Sequence, residues 1–188
     1  LYLDDLAEKT HRGLKGQALA GQSAGGRSYG YTSLPIIEQG DIIGYQKQIN
    51  EEEADWVRFI FQRFAEGASP RTIADELNRR GVPSPRGSTW AHSAIYGDNK
   101  RGLGMLNNPL YIGQQIWNRS KWVKDPMTGK RRRVERPTEE WVIQESPDLA
   151  IIDQDTWSRV KARQAAQIER TAKRRAKPPH HSGGPGKP

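Results

Sequence analysis

Apolar positions recur at helical spacing in two consecutive stretches, and the rest of the chain is arranged around them. Ala54, Val57, Ile60, Phe61 and Phe64 fall on one helical face, and Trp56 is placed to widen it. Asn50 stands where an N-cap is needed, Glu53 completes a capping-box spacing, and Gly67 marks the end. Ser69-Pro70 opens a second helix, with a hydroxyl to accept from free N–H groups and a proline at the first helical position. Ile73, Ala74 and Leu77 form its buried face, and it stops before Gly81. We assign Phe61 and Phe64 to the core rather than to stacking platforms. The acidic Glu51, Glu52, Glu53 and Asp55 suit a helix N-terminus and argue that this end faces away from a polyanion.

On the N-terminal side, Leu1 to about Gln22 reads as a helix with a loose stripe of Leu3, Leu6, Leu14 and Ala18, weakened by Gly13, Gly16 and Gly21. Alone it needs a partner surface. Tyr31 to Gln48 reads as a β-hairpin, with Ile36 and Ile37 going out, Gln39-Gly40-Asp41 turning, and Ile42, Ile43 and Tyr45 returning. On the C-terminal side, Gly81-Val82-Pro83-Ser84-Pro85 is a turn, followed by a basic and polar segment from Arg86 to Arg101. Its helical part is short, from about His92 to Tyr96, because Gly97, Gly102 and Gly104 interrupt it. Leu110 to Trp117 is a strand candidate. A hairpin then turns at Asp125 to Gly129, a strand resumes at Trp141-Val142-Ile143, and a helix runs from about Gln154 to Arg170 with Trp157 and Val160 inward. The fold expected is α+β: a small helical core with a helix-turn-helix-like element and β-hairpins, preceded by a protruding N-terminal helix. A helix, a turn and a polar second helix is the layout of a DNA-reading unit, although any small helical hairpin shares it.

Charge sharpens the picture. The 188 residues carry 30 Lys and Arg against 22 Asp and Glu, for a net charge of +8, which suits a polyanion partner. The positive charge is uneven. It concentrates around the second hairpin, where Arg119, Lys121, Lys124, Lys130, Arg131, Arg132, Arg133 and Arg136 face only Asp125 and Glu135, and in the tail after Arg170, which has no acid and is expected to be disordered when free. Such a β-ribbon suits the phosphate backbone; a solvated hairpin is the plain alternative. With no cysteine, disulfide, thiol and Cys-based zinc chemistry are excluded. His11, His92, His180 and His181 lack ligand-like spacing, so no metal site or cofactor is expected. No apolar run approaches ~20 residues, so no membrane span is expected, and a cytoplasmic protein follows by default. The chain opens at Leu1, which fits a piece of something longer.

One stretch is more specific than its pattern. Ile73, Ala74, Leu77, Asn78, Gly81, Pro83, Pro85, Gly87 and Trp90, followed by Leu106, Asn108, Pro109, Tyr111, Ile112 and Gly113, closely resemble the recombinase domain of large serine recombinases. These are resolvase/invertase relatives found on phages and mobile elements, and the resemblance runs from roughly Arg12 to roughly Gln164. It implies that residues 1–23 are the end of a long helix leaving a catalytic domain, that 24–168 are the DNA-binding recombinase domain, and that 169–188 are a basic tail leading toward a zinc ribbon. The cysteine pairs of that ribbon do not follow here. It also implies a double-stranded DNA partner and other recombinase subunits. In the whole protein a nucleophilic serine cuts both strands of two sites, and subunits rotate and religate. No serine of this chain aligns to that role, so no catalytic residue is assigned and the chain alone should be inactive.

The resemblance and the residue chemistry together nominate DNA contacts. Arg12 and Lys15 lie on the first helix. Gly25 and Gly26 permit close backbone approach, and Arg27 suits a narrow minor groove, so residues 24–31 read as a minor-groove arm. His92, Ser93, Tyr96 and Asn99 are candidates for base edges, and Arg86, Ser88, Lys100 and Arg101 for phosphates. Arg131, Arg132 and Arg133 represent the basic hairpin, while Trp90 and Tyr111 are assigned to packing. The runner-up is a stand-alone DNA-binding regulator with a winged-helix-like core, and a third class is an RNA-binding or protein-interaction module.

Overall fold

The computed structural model describes residues 2–87 and 89–176. In chain order it forms α1 (Tyr2–Leu19), β1 (Tyr31–Glu38), β2 (Asp41–Ile49), α2 (Glu51–Ala65), α3 (Pro70–Arg79), α4 (His92–Tyr96), β3 (Gln114–Trp117), β4 (Ser120–Lys124), β5 (Arg131–Glu135), β6 (Val142–Glu145) and α5 (Gln154–Ala176). Met105–Asn107 and Pro109–Ile112 are short 3₁₀ turns, so the strand expected from Leu110 begins only at Gln114. The strands form three separate antiparallel pairs: β1 with β2, β3 with β6, and β4 with β5. The architecture is the expected α+β.

The capped helices behave as their sequence requires. Asn50 Oδ1 accepts from Glu53 N at 3.2 Å, and Ser69 Oγ accepts from Thr72 N at 3.1 Å. Ala54, Val57, Ile60, Phe61 and Phe64 of α2 meet Ile73, Ala74 and Leu77 of α3, Ile95 of α4, Leu106, Tyr111 and Val160 of α5 in one core. The capping box is only half made, because the Glu53 carboxylate accepts from Gly30 N at 2.8 Å and from Arg27 at 2.7 Å instead. Gly30 itself sits at φ +91°, with Ile151 and Val57 pressed where a Cβ would stand, so only glycine fits this crossing.

Tyrosines tie the loops to that core. The Tyr31 hydroxyl donates to Leu149 O at 2.7 Å, and the Tyr111 hydroxyl donates to Tyr29 O at 3.0 Å. Burial pushes the Tyr29 phenol up to about 12 and raises Tyr31 and Tyr111 further, so all three stay neutral donors.

Helix α5 continues to Ala176, beyond the expected end near Arg170. Residues 171–176 contain no proline or glycine; Lys173 pairs with Glu169 at 2.7 Å and Thr171 bonds back to Gln167 O, so helix propensity prevails over charge there. The remainder of the expected disordered tail, with His180 and His181, lies outside the described residues. At the other end, α1 docks by its last turns only. Ala18 is buried, Leu14 half-buried, and the His11 ring lies tilted against Trp117, centroids 4.9 Å apart, with Nε2 at 3.2 Å from Asn118 Oδ1, whereas residues 5–10 are exposed. Leu6, expected in the apolar stripe, is exposed, with nothing among the described residues covering that turn.

Candidate nucleic-acid interface

The α3–turn–α4 unit is built by the motif residues themselves. Asn78, near the end of α3, donates to Trp90 O at 3.0 Å and accepts from Trp90 N at 2.7 Å. Trp90 is buried, its indole N–H donates to Val82 O at 3.0 Å, and its ring meets Tyr29 edge-on at 5.2 Å. One side chain thus fixes where the chain re-enters after the Gly81–Gly87 turn, and α4 starts two residues later. Ile95 anchors α4 inward and leaves His92 and Ser93 exposed. His92 borders a shallow groove with Arg71 and Asp75 of α3.

Tyr96, nominated for base edges, sits differently from His92 and Ser93. It is half-buried with its ring 6.2 Å from Phe64, and its carbonyl accepts from Asn107 Nδ2 at 2.7 Å. Being one residue after Ile95, it wraps the same core edge. Beyond it, the glycine-rich interruption is a closed turn. Asp98 and Leu103 pair through 2.9 Å backbone bonds in both directions, and Asp98 Oδ1 accepts from Lys100 N and Arg101 N. Gly97 and Gly104, both at positive φ, pack backbone to backbone where any Cβ would collide. Asn99, Lys100 and Arg101 are exposed on this turn, and Arg101 lies 3.6 Å from Asp98. Arg86 is exposed in the preceding loop, and Ser88 lies outside the described residues.

The arm is fastened on both sides. Ser23 N donates to Tyr45 O at 2.7 Å, and Lys47 donates to Ser23 Oγ at 3.1 Å and to Gly26 O at 3.3 Å. Arg27 reaches Glu53 at 2.7 Å, so the guanidinium assigned to the arm stands beside the α2 N-terminus. The acidic end of α2 therefore lies beside the arm. Of the arm's glycines, Gly25 and Gly26 have nothing within 4 Å of where a Cβ would stand, whereas Gly30 is crowded. Arg12 and Lys15 are exposed on α1, with Arg12 in a solvent-exposed pair with Glu8 at 3.2 Å.

In the second hairpin, register places Trp122 opposite Arg133 and Lys124 opposite Arg131, while Arg132 shares the other face with Lys121. Arg131 and Arg132 are exposed; Arg133 is half-buried with its Nε donating to Ser120 Oγ at 2.6 Å. Asp125 accepts from Met127 N and Thr128 N at the turn, which holds its carboxyl below the usual range. Trp122 is 67 % exposed among these cations. The sequence reading passed over it, although alternation from the Asp125 turn places it outward. Lys47 was also missed, since a lone lysine in a strand carries no signal. Among the described residues no three His, Asp or Glu side chains are grouped to hold a metal ion, and no helix is long and apolar enough to cross a membrane.

The family model described as Recombinase matches residues 51–167, more than half of the chain, and spans α2 through most of α5. The chain belongs to the Recombinase family. A solved structure titled as the crystal structure of an LSR–DNA complex has the same fold, with a TM-score of 0.50 and 20 % identity over 85 % of this chain. The chain spans 38 % of the length of that one. No curated protein matches. Within the Recombinase family match lie the Asn78–Trp90 latch, α4, the Asp98–Leu103 turn and both later strand pairs.

Proposed function

We propose that this chain is the DNA-recognition portion of a site-specific serine recombinase, binding attachment-site DNA for integration or excision of a mobile element. The observation that carries this reading is the latched α3–turn–α4 unit, with His92 and Ser93 outward, inside a chain of the Recombinase family. The unit has the order of a helix-turn-helix, a helix, a connection and a short second helix, and in such units the second helix enters the major groove. Arg86, Asn99, Lys100 and Arg101 flank that helix, and Arg131 and Arg132 supply backbone attraction. In the whole protein the catalytic serine belongs to a separate domain, for which residues 1–23 are the connecting helix; residues 24–168 hold the site, and 169–188 lead onward. Other recombinase subunits are the protein partners, and the setting is a bacterial cytoplasm with a phage or mobile-element gene. Family membership sets this reading ahead of a stand-alone regulator.

The test is equilibrium binding across a salt series to duplex DNA, single-stranded DNA and duplex RNA of matched length. Duplex DNA is expected to bind tightest, with log affinity falling linearly with log salt. Equal affinity for all three would identify a general polyanion binder and defeat the proposal.

A further inference from the structure

The arm, β3 and the base of the β4–β5 hairpin enclose a cavity of about 280 Å3. Arg27, Lys47, Arg119 and Arg133 line it, and no carboxylate does. Two of these cations are already engaged: Arg27 by Glu53, and Lys47 by Ser23 and Gly26 O. The other two are not. Arg119 lies over the Trp141 ring at 4.9 Å and against Gly102, with no carboxylate partner among the described residues. Arg133 spends only its Nε, on Ser120, and its terminal nitrogens have no partner among the described residues. Burial first, and then the Arg133 charge, hold the Arg119 guanidinium below its ordinary pKa.

Two half-buried guanidinium groups are held in place by their neighbours without an acid in bonding range among the described residues, although Glu135 acts on Arg119 from farther off, and both present free nitrogens to the same cavity. Their planar forks fit phosphate oxygens. We infer that Arg119 and Arg133 together seat a single backbone phosphate of bound DNA at the junction of arm and hairpin. Because Gly25 and Gly26 border the same cavity, and Gly102 of the turn after α4 also lines it, the seated phosphate sets the arm and the recognition unit in one register. The inference rests on the DNA-binding reading above.

The experiment measures duplex affinity against salt for the wild type, R119Q, R133Q and the double variant. A shared phosphate predicts that the double variant loses about one unit of log–log slope in total. It also predicts that the two single losses of affinity sum to more than the loss in the double. A loss of about two units with additive affinities means two separate phosphates, and an unchanged slope means that DNA leaves the cavity empty; either result overturns the inference. Arg119 also packs on Trp141, so R119K provides the folding-independent check: it keeps the cation and should keep the slope while losing affinity with the fork. Inorganic phosphate alone, at matched ionic strength, separates the other source. Phosphate-specific stabilisation of the wild type but not the double variant, with DNA binding unaltered, would assign the cavity to free phosphate and refute a DNA seat. No duplex binding by the wild type would instead fail the DNA reading itself.

Discussion

Asn78 carries more of this molecule than its size suggests. Its amide satisfies both backbone groups of Trp90, so removing it strands a donor and an acceptor in a partly buried place. N78A is expected to cost about 2–3 kcal/mol in chemical denaturation, from the desolvation of unpaired groups; a cost near zero would mean that Trp90 holds the turn unaided. Lys161 makes a different demand. Its ammonium donates to Leu106 O at 2.7 Å, Asn107 Oδ1 at 2.8 Å and Gln164 Oε1 at 2.9 Å, with no acid among these partners. Burial pushes its pKa down to about 8, from an ordinary 10.5. Below pH 8 both folded and unfolded states hold the proton and the folded state bears the whole penalty. Between 8 and 10.5 the unfolded chain binds more protons, so stability rises with pH. Denaturation of the wild type and K161M across that window should therefore show the wild type gaining relative to the variant, and a constant difference would contradict the shift. Arg163 closes the C-terminal end of α2 by donating to Phe64 O, Ala68 O and Gly67 O. R163A should lose about 1–3 kcal/mol, and R163K should restore it only in part, because the guanidinium reaches these carbonyls through two separate nitrogens of a planar fork that a compact ammonium does not reproduce.

At the scale of elements, α2, α3, α4, both hairpin turns and the buried Trp90 and Tyr111 were legible, because caps, glycines and apolar spacing are local signals. What was not legible depended on contacts distant in sequence. Glu53 completes a capping-box spacing, yet its carboxylate goes to Gly30 and Arg27, which lie 23 and 26 residues away. Tyr96 reads as polar and exposed until Phe64 is seen against it. Gly97 and Gly104 look like a broken helix, and their reason, two backbones in contact, exists only once the turn closes. Isoleucines 37, 42 and 43 were read as ordinary strand residues and prove exposed, since the far end of the first hairpin packs on nothing among the described residues. Under the proposed function, the hairpin and the arm make two kinds of DNA contact. R27A should flatten the salt slope by less than about one unit, because Glu53 already pairs with that cation at 2.7 Å. W122A should weaken binding with the slope intact, since apolar and stacking contact releases no counterion. A slope change in W122A, or none in R27A, would exchange or remove those roles.

Among the described residues one helical core carries three small antiparallel pairs at its margin, with exposed cations both on a strand pair, at Arg131 and Arg132, and beside α4, at Arg86, Lys100 and Arg101. This arrangement suits a reader that must hold a backbone and inspect bases at once, because phosphate contacts position and base contacts specify. Under the proposed function, His92, Ser93 and Asn99, all exposed, are the candidates for base edges, and substituting one that reads a base should relax preference at that base by ~1–3 kcal/mol. The most direct measurement is selection of this chain against a randomised duplex library at two salt concentrations. The account predicts a discrete, asymmetric motif of about one to two helical turns that persists at the higher salt and loses definition at one position in a His92, Ser93 or Asn99 variant. Binding that is strong at low salt, absent at higher salt and without a motif would contradict it.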